Sequence, residues 1–318
     1  MINGRIVKIE AKDYYVQTGD ENIVRCNLPG RFKKQFQLKK DKLYKIDIAA
    51  VGDFVQIEMN DDGTGTIKSI TERKNSIARK APKIKGASRR GERLEQIVAA
   101  NVDEIFIVAS VFQPPFNSKF VDRILVAAES SHIRANIVIN KIDLDENEVF
   151  FEWKELYEEI GYDVFTVSAE EKTGLEKLAE RLSGKVNLFW GQSGVGKSSI
   201  LNAIFPQFNL KVGDISEYSN KGQHTTVTSV MLKVADDTFV IDTPGIREMD
   251  PFGIMKIDLP HYFREFEPFI HKCKFNTCTH FHEPGCAVIE AVEEGLISPL
   301  RYESYLNILE TIEDDMNF

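Results

Sequence analysis

The sequence predicts a three-part α/β protein. A doubly wound, mostly parallel sheet with helices is flanked by an N-terminal five-stranded β-barrel of the oligonucleotide-binding (OB) type and a C-terminal helical domain built on a metal site. Three observations lead there. Strand-like runs crowd the first 72 residues, strand and helix patterns alternate from 93 to 246, and three of the four cysteines fall within 273–286. The boundaries read as 1–72 for the barrel, 73–92 for a basic linker, 93–246 for the sheet domain and 247–318 for the C-terminal domain.

The barrel comes first. GRIVKIE, YYVQT, NIVRCNL, DFVQIEM and TIKSI are rich in β-branched and aromatic residues, and Gly19-Asp20, Pro29-Gly30, Gly52-Asp53 and Asp62-Gly63 punctuate them. Between the third and fourth runs lies RFKKQFQLKKDKLYK. A charge run is ordinarily a solvated loop, but Phe32, Phe36 and Tyr44 add stacking faces among the cations, which suits nucleic acid. The linker, RKNSIARKAPKIKGASRRGE, has many Lys and Arg and few large apolar residues, so it is expected to be a tether that attracts phosphates.

Charge sharpens this division. The net −9 conceals 20 Lys/Arg against 11 Asp/Glu in residues 1–90, a formal +9, and 20 against 38 in residues 91–318, a formal −18. That split points to a basic binding module on an acidic body. No run of about 18 apolar residues exists, so no spanning helix is expected. The start, MINGRIVKIE, lacks the apolar stretch of a secretory signal, and four cysteines make no disulfide scaffold; a cytoplasmic protein is expected.

In the sheet domain, EIFIVASVF, ANIVINK, DVFTVSA, KVNLFWG and TFVIDTPG read as buried parallel strands, with helices over 118–131 and 146–160. The strongest motif is Gly191, Gln192, Ser193, Gly194, Val195, Gly196, Lys197, Ser198, followed by Ser199. It matches the phosphate-binding P-loop and sits between a strand and a helix, as that loop requires. Its glycines let backbone N–H groups wrap phosphates, Lys197 neutralises the outer ones and Ser198 reaches Mg²⁺.

A P-loop does not name the base. Asn140, Lys141, Ile142 and Asp143 follow a strand at the end where such sheets bind ligands. An ionised Asp only accepts hydrogen bonds. Guanine offers N1–H and an exocyclic amine to it, whereas adenine would leave it unpaired. Ser168 and Ala169 end the next strand, where such proteins touch the base. Asp242 and Gly245 of Asp242-Thr243-Pro244-Gly245 are placed to meet Mg²⁺ and the γ-phosphate. Thr225 or Thr226 of Gly222-Gln223-His224-Thr225-Thr226 would complete the Mg²⁺ shell, and the sequence does not decide between them. All five guanine-nucleotide elements are present, in the order fourth, fifth, first, second, third. A doubly wound sheet tolerates such a circular permutation when its ancestral termini are close.

The C-terminal domain reads Cys273-x4-Cys278-x-His280-x5-Cys286, three thiols and an imidazole that suit a closed Zn²⁺ site, with His271 and His282 competing for the imidazole place. Helices are expected near 286–295 and 299–313. Phe263, Phe266 and Phe269, Cys26, Trp153 and Trp190 read as packing residues, and Pro114-Pro115 as a rigid turn.

NKID, GQSGVGKSS, the GQHTT element, DTPGIR and CTHFHEPGCAV, in this order behind an OB-like start, resemble the RsgA (YjeQ) family of small-subunit-dependent GTPases over most of the chain after residue 100. The resemblance implies GTP/GDP with Mg²⁺ and one Zn²⁺ whose imidazole ligand is His280. It implies binding to the small ribosomal subunit and its rRNA, subunit-stimulated GTP hydrolysis during late maturation, a monomer, and neither DNA nor membrane as partner. Ile246 stands where many related GTPases carry a water-orienting Gln. Together with Lys197, His224 is therefore a catalytic candidate, against the reading of a structural loop histidine. Two rivals stay open at this point: an ATP-using P-loop protein, and a nucleotide-gated RNA-binding module with negligible turnover.

Overall fold

The structure, a computed structural model, describes residues 1–20, 22–30, 32, 48–80, 95–208, 229–243 and 253–312. Most of the basic stretch at 31–45, including Phe36 and Tyr44, and residues 81–92 lie outside the described residues.

The N-terminal runs form β1 (Ile2–Glu10), β2 (Asp13–Thr18), β3 (Ile23–Asn27), β4 (Phe54–Met59) and β5 (Gly65–Ile70). Their order is β1-β2-β3-β5-β4, with β4 returning to β1 and β3 parallel to β5, so the sheet closes into the expected barrel. Strand alternation turns Ile6, Val16, Cys26, Val55, Ile57 and Ile67 inward to fill it.

Residues 73–92 depart from expectation. Their first part is no tether: β6 (Ser76–Lys80) pairs antiparallel with β7 (Glu95–Ala100). Ile77 is fully buried in the sheet domain's core, and Arg73 grips Asp53 of the barrel with two hydrogen bonds of 2.6 and 2.7 Å. The β6–β7 ladder, the Ile77 anchor and bonds from Arg73, Asn75 and Arg79 together order residues whose composition reads as linker.

The sheet domain contains β8 (Glu104–Ser110), β9 (Arg134–Asn140), β10 (Asp163–Thr166), β11 (Val186–Trp190), β12 (Val230–Ala235) and β13 (Thr238–Asp242), ordered β10-β9-β8-β11-β13-β12. All pairings are parallel except β12 with β13. The near-continuous apolar strands are explained by two covered faces. Ile105, Ile107, Ile137 and Leu188 pack toward α1 (Ser118–Ser130) and α2 (Phe150–Glu159). Phe106, Val108, Val138 and Phe189 pack toward α3 (Leu175–Leu182) and α4 (Lys197–Ile204). α2 starts later than its sequence pattern because the Phe150 N–H donates to the Asp145 carboxylate at 2.8 Å, and Glu148 takes a left-handed φ of 56°.

The C-terminal region contains α5 (Glu267–Ile270), α6 (Ala287–Glu293) and α7 (Pro299–Thr311). Phe263 and Phe266 are buried and stacked at 5.2 Å, but around two short 3₁₀ turns rather than on one helix. Val126 of α1 joins their cluster, so this region packs on the sheet domain's first helix. Trp153 stacks on Phe116 at 4.5 Å and Trp190 is fully buried. Among the described residues no helix is long and apolar enough to cross a membrane.

Candidate functional site

β11 lies buried between β8 and β13, and its carboxyl end delivers Gly191 to the edge where the parallel strands finish. The chain then turns through Gly194 (φ 84°) and Gly196 (φ 95°) into α4. A Cβ on Gly196 would lie 2.3 Å from Asn140 Nδ2, so only glycine fits there. No side chain caps α4, which leaves its first N–H groups free to meet an anion.

Asn140 ends β9 and is buried. It donates from Nδ2 to the Val195 carbonyl (2.8 Å) and accepts at Oδ1 from the Ala169 N–H (3.2 Å). One amide therefore ties together three segments that the sequence identified separately. Lys141, at φ 64°, donates to the Gly194 carbonyl at 2.7 Å and to the Gln113 carbonyl. Ser168 Oγ donates to Asp143 at 2.5 Å and accepts from the Glu171 N–H at 3.0 Å, which fixes one carboxylate oxygen. Ile142 packs against the sheet core.

Lys197 donates to the Gly191 and Gln192 carbonyls at 2.8 and 3.2 Å. Burial lowers its pKa, and the Asp242 charge opposes that shift. Asp242 ends β13 in register with Phe189 of the P-loop strand. Among the described residues neither of its buried carboxylate oxygens has a hydrogen bond of normal geometry, and burial raises the carboxyl to about 6 against the opposing influence of Lys197 and the adjacent Thr243 backbone. A buried carboxylate without donors is anomalous unless a cation completes it. All-oxygen ligation at the mouth of a phosphate loop suits Mg²⁺. Ser193 is exposed, while Gln192, Ser198 and Ser199 are half-buried along the loop and the first turn of α4. His224, Thr225, Thr226, Gly245 and Ile246 lie outside the described residues.

Sequence reasoning missed the loop between β8 and α1. Ser110 Oγ donates to the Pro114 carbonyl at 2.7 Å, and the Asn117 side chain caps α1 by accepting from the Phe120 N–H at 3.1 Å. This loop supplies the Gln113 carbonyl to Lys141 and, with Gln192 of the P-loop, lines a cavity of about 430 Å³. Pro114-Pro115 was the only sign of it.

In the C-terminal region the ligand atoms of Cys273, Cys278, His280 and Cys286 lie within 4.8 Å of one another. His280 Nδ1 is 3.5 Å from Cys273 Sγ and 3.3 Å from Cys286 Sγ, and those two sulfurs are 4.0 Å apart. Tetrahedral Zn–S bonds of about 2.3 Å put sulfurs about 3.8 Å apart, so the group fits one such ion. Burial pushes the Cys278 thiol up to about 12, an environment in which a thiolate calls for a bound cation. His271 is exposed, 3.7 Å from Glu267, and His282 is exposed; neither joins the group. The surrounding turn is held by Tyr302 and Tyr305, whose hydroxyls donate to the His280 and Thr279 carbonyls at 2.8 and 2.5 Å.

A doubly wound sheet with a glycine-rich P-loop motif after β11, and with an Asn-Lys-Ile-Asp tetrapeptide that precedes it in sequence but adjoins it in space, has the arrangement of a circularly permuted P-loop GTPase. Residues 70–252 match the RsgA GTPase family and residues 3–67 the RsgA N-terminal domain. The chain belongs to the RsgA family. It is 41% identical to the small ribosomal subunit biogenesis GTPase RsgA 2 of Bacteroides thetaiotaomicron, over 98% of each chain. It is 38% identical to the small ribosomal subunit biogenesis GTPase RsgA of Chlorobaculum tepidum, over 98% of this chain and 99% of the relative. The crystal structure of YjeQ from Thermotoga maritima is similar with a TM-score of 0.73 at 32% identity, over 98% of each chain. YloQ, described as a circularly permuted GTPase, follows at 0.68 and 27%, over 99% of this chain and 96% of that one. The protein is a GTP hydrolase. Its family implies a guanine nucleotide with Mg²⁺, and its Cys3His group has the donor set for one metal ion.

Proposed function

We propose that this GTPase binds the small ribosomal subunit through its rRNA and hydrolyses GTP, stimulated by the subunit, during late subunit maturation. The observation that supports the nucleotide assignment is the double use of Asn140, which bonds both the Val195 carbonyl of the P-loop and the Ala169 N–H, while Ser168 of the same loop holds Asp143. In this reading Asp143 accepts from guanine N1–H and the exocyclic amine, and Lys141 lies along the base plane. Ala169 presents its backbone to the base. Lys197 and the N–H groups from Gly191 to Ser199 hold the phosphates. Ser198 and Asp242 would hold Mg²⁺, the latter through water, with Thr225 or Thr226 completing its shell, and the Gly245 N–H would contact the γ-phosphate. His224 orients the attacking water. Mg²⁺ supplies charge neutralisation on the phosphates, and the remaining catalysis is positioning. Cys273, Cys278, His280 and Cys286 hold a structural Zn²⁺. The barrel over 1–72 and the basic stretch to residue 92 take rRNA, the domain over 93–246 takes nucleotide, and 247–318 adds contacts. The protein works as a cytoplasmic monomer, with no DNA or membrane partner.

Phosphate release from GTP with and without purified small subunits tests this. Turnover should rise with subunits, and ATP should fail to compete with GTP. Unstimulated, negligible turnover would favour the RNA-binding module that Ile246 allows, and equal competition by ATP would remove the guanine assignment.

A further inference from the structure

The barrel continues the nucleotide-binding sheet. β1 closes the barrel on β4 from Ile2↔Ile57 to Arg5↔Phe54, then pairs with β12 at Lys8↔Val230. A bulge in the β1–β2 ladder between Ile6 and Lys8 turns the strand between these tasks. Its consequence is visible in two adjacent side chains: Ile6 packs in the barrel core and Val7 in the sheet domain's core. Across the sheet, Lys8, Val230, Asp242 and Phe189 lie in one lateral row. At about 4.8 Å per strand, the backbone of β1 is about 10 Å from that of Asp242.

Arg5 fastens this junction. Its Nε donates to the Gly52 carbonyl at 3.1 Å and its Nη2 to the Asn101 carbonyl at 3.0 Å. Its guanidinium lies over two rings, 4.7 Å from Phe54 of the barrel and 5.5 Å from Phe239 of β13, three residues before Asp242. The turn it grips is tightly built. Gly52 has φ 97°, and a Cβ there would come within 2.0 Å of the Ala100 carbonyl oxygen; Asn101 Nδ2 also donates to Gly52 at 3.1 Å. Burial lowers the Arg5 pKa to about 10, with Asp103 and Asp53 opposing. The guanidinium is half-buried and held in this junction by carbonyls and rings, with no carboxylate in those bonds, so part of its hydration is given up there without a direct ion pair. Nothing in the nucleotide chemistry uses it.

We propose that Arg5 is a positioning residue that locks β1 across Phe239, so that RNA seated on the barrel is felt at the Asp242 edge of the sheet and the nucleotide state is felt in the barrel. The RNA half of this statement rests on the barrel's proposed role; the nucleotide half does not. Coupling between two sites is reciprocal, so either direction can be measured.

The first experiment needs no ribosomal subunit. Amide exchange is followed in the full chain, over β1 and β12, when GDP·Mg²⁺ is replaced by a non-hydrolysable GTP analogue. Both strands should change together in the unaltered protein, and in Arg5→Ala the β1 response should fall at least about fivefold while that of β12 persists. A β1 that ignores the nucleotide, or responds equally in Arg5→Ala, overturns the proposal. The second experiment uses purified small subunits. Arg5→Ala should retain basal turnover and KM for GTP but lose about tenfold in subunit-stimulated kcat. Arg5→Lys keeps the charge but not the planar fork, and should recover only part. Unchanged stimulation in Arg5→Ala counts against the proposal. If the unaltered protein is not stimulated at all, the ribosomal reading fails while the exchange experiment still decides this one. Should Arg5→Ala fail to fold, Phe239→Leu removes one ring platform and takes its place in both measurements.

Discussion

Asp242 joins stability to chemistry at a single carboxyl. Its pKa is raised to about 6 by burial, while an unfolded chain holds an aspartate near about 3.9. Between those values the folded state binds the proton more tightly, so metal-free stability falls as pH rises through the window. The full penalty, about 3 kcal/mol, is present above it. Mg²⁺ takes only the ionised form, so its binding releases a proton below about pH 6 and should weaken about tenfold per pH unit there. Mg²⁺-induced thermal stabilisation of the GDP complex, measured from pH 5 to 8, should therefore shrink below pH 6, and in Asp242→Asn it should be small and flat. An identical slope in both proteins would show that this carboxylate is not the ion's ligand. Asn140 offers a second check. Asn140→Ala strands the Val195 carbonyl and the Ala169 N–H, and should cost about 2–3 kcal/mol in urea unfolding and at least about tenfold in GDP affinity. The tetrapeptide containing Asn140 was legible in the sequence, because guanine dictates an acceptor-only Asp. Its grip on Val195, 55 residues away, was not, because no local pattern records a contact made only when β9 and β11 finish at the same edge.

Among the elements, the turn carrying the Cys3His group is held by Glu283, Tyr302 and Tyr305 and has the donor set for one metal ion. α6 begins directly after Cys286 with no side-chain cap, and α7 reaches the turn through Tyr302 and Tyr305. Cys286→Ser should release the ion, cost more than about 4 kcal/mol and remove exchange protection across 273–293. His271→Ala and His282→Ala should keep one metal per chain by atomic absorption; loss of the metal from His282→Ala would overturn the assignment to His280. Spacing made the three thiols readable, but three histidines competed for the fourth place and only the family resemblance selected His280, which the structure brings into the group. The seat of α7 was not readable. Fully buried Arg301 bonds Asp122 of α1, 179 residues away, and Glu265 at 2.7 Å, while Tyr157 donates to Asp122 at 2.9 Å. Each is an ordinary charged or polar residue in sequence, and only packing converts them into a buried joint. β6 failed for the opposite reason: its pairing with β7, the buried Ile77 and the Arg73–Asp53 pair order a stretch whose composition resembled a tether.

For the whole molecule, the contrast between +9 in residues 1–90 and −18 in the remainder sets how partners are met. In the proposed nucleotide site, anion affinity comes from N–H groups and Lys197 at close range, so the acidic body does not oppose it beyond a Debye length of about 8 Å at physiological salt. Among the described residues, Lys8↔Val230 joins the barrel to the sheet, and the Arg73–Asp53 pair ties the start of the following segment to the barrel. Counterion release then makes subunit binding strongly salt-dependent despite a pI of 5.4. Replacing Lys83, Lys85, Arg89 and Arg90 by Ala should weaken binding and reduce the slope of log K against log salt by about three to four, close to one per lost phosphate contact. Basal GTP turnover should be unchanged, because none of the four lies in the nucleotide motifs. Binding measured from 50 to 300 mM KCl decides it. A slope that survives all four substitutions would mean that the positive half of the chain is a solvated surface and that the subunit is held by other contacts.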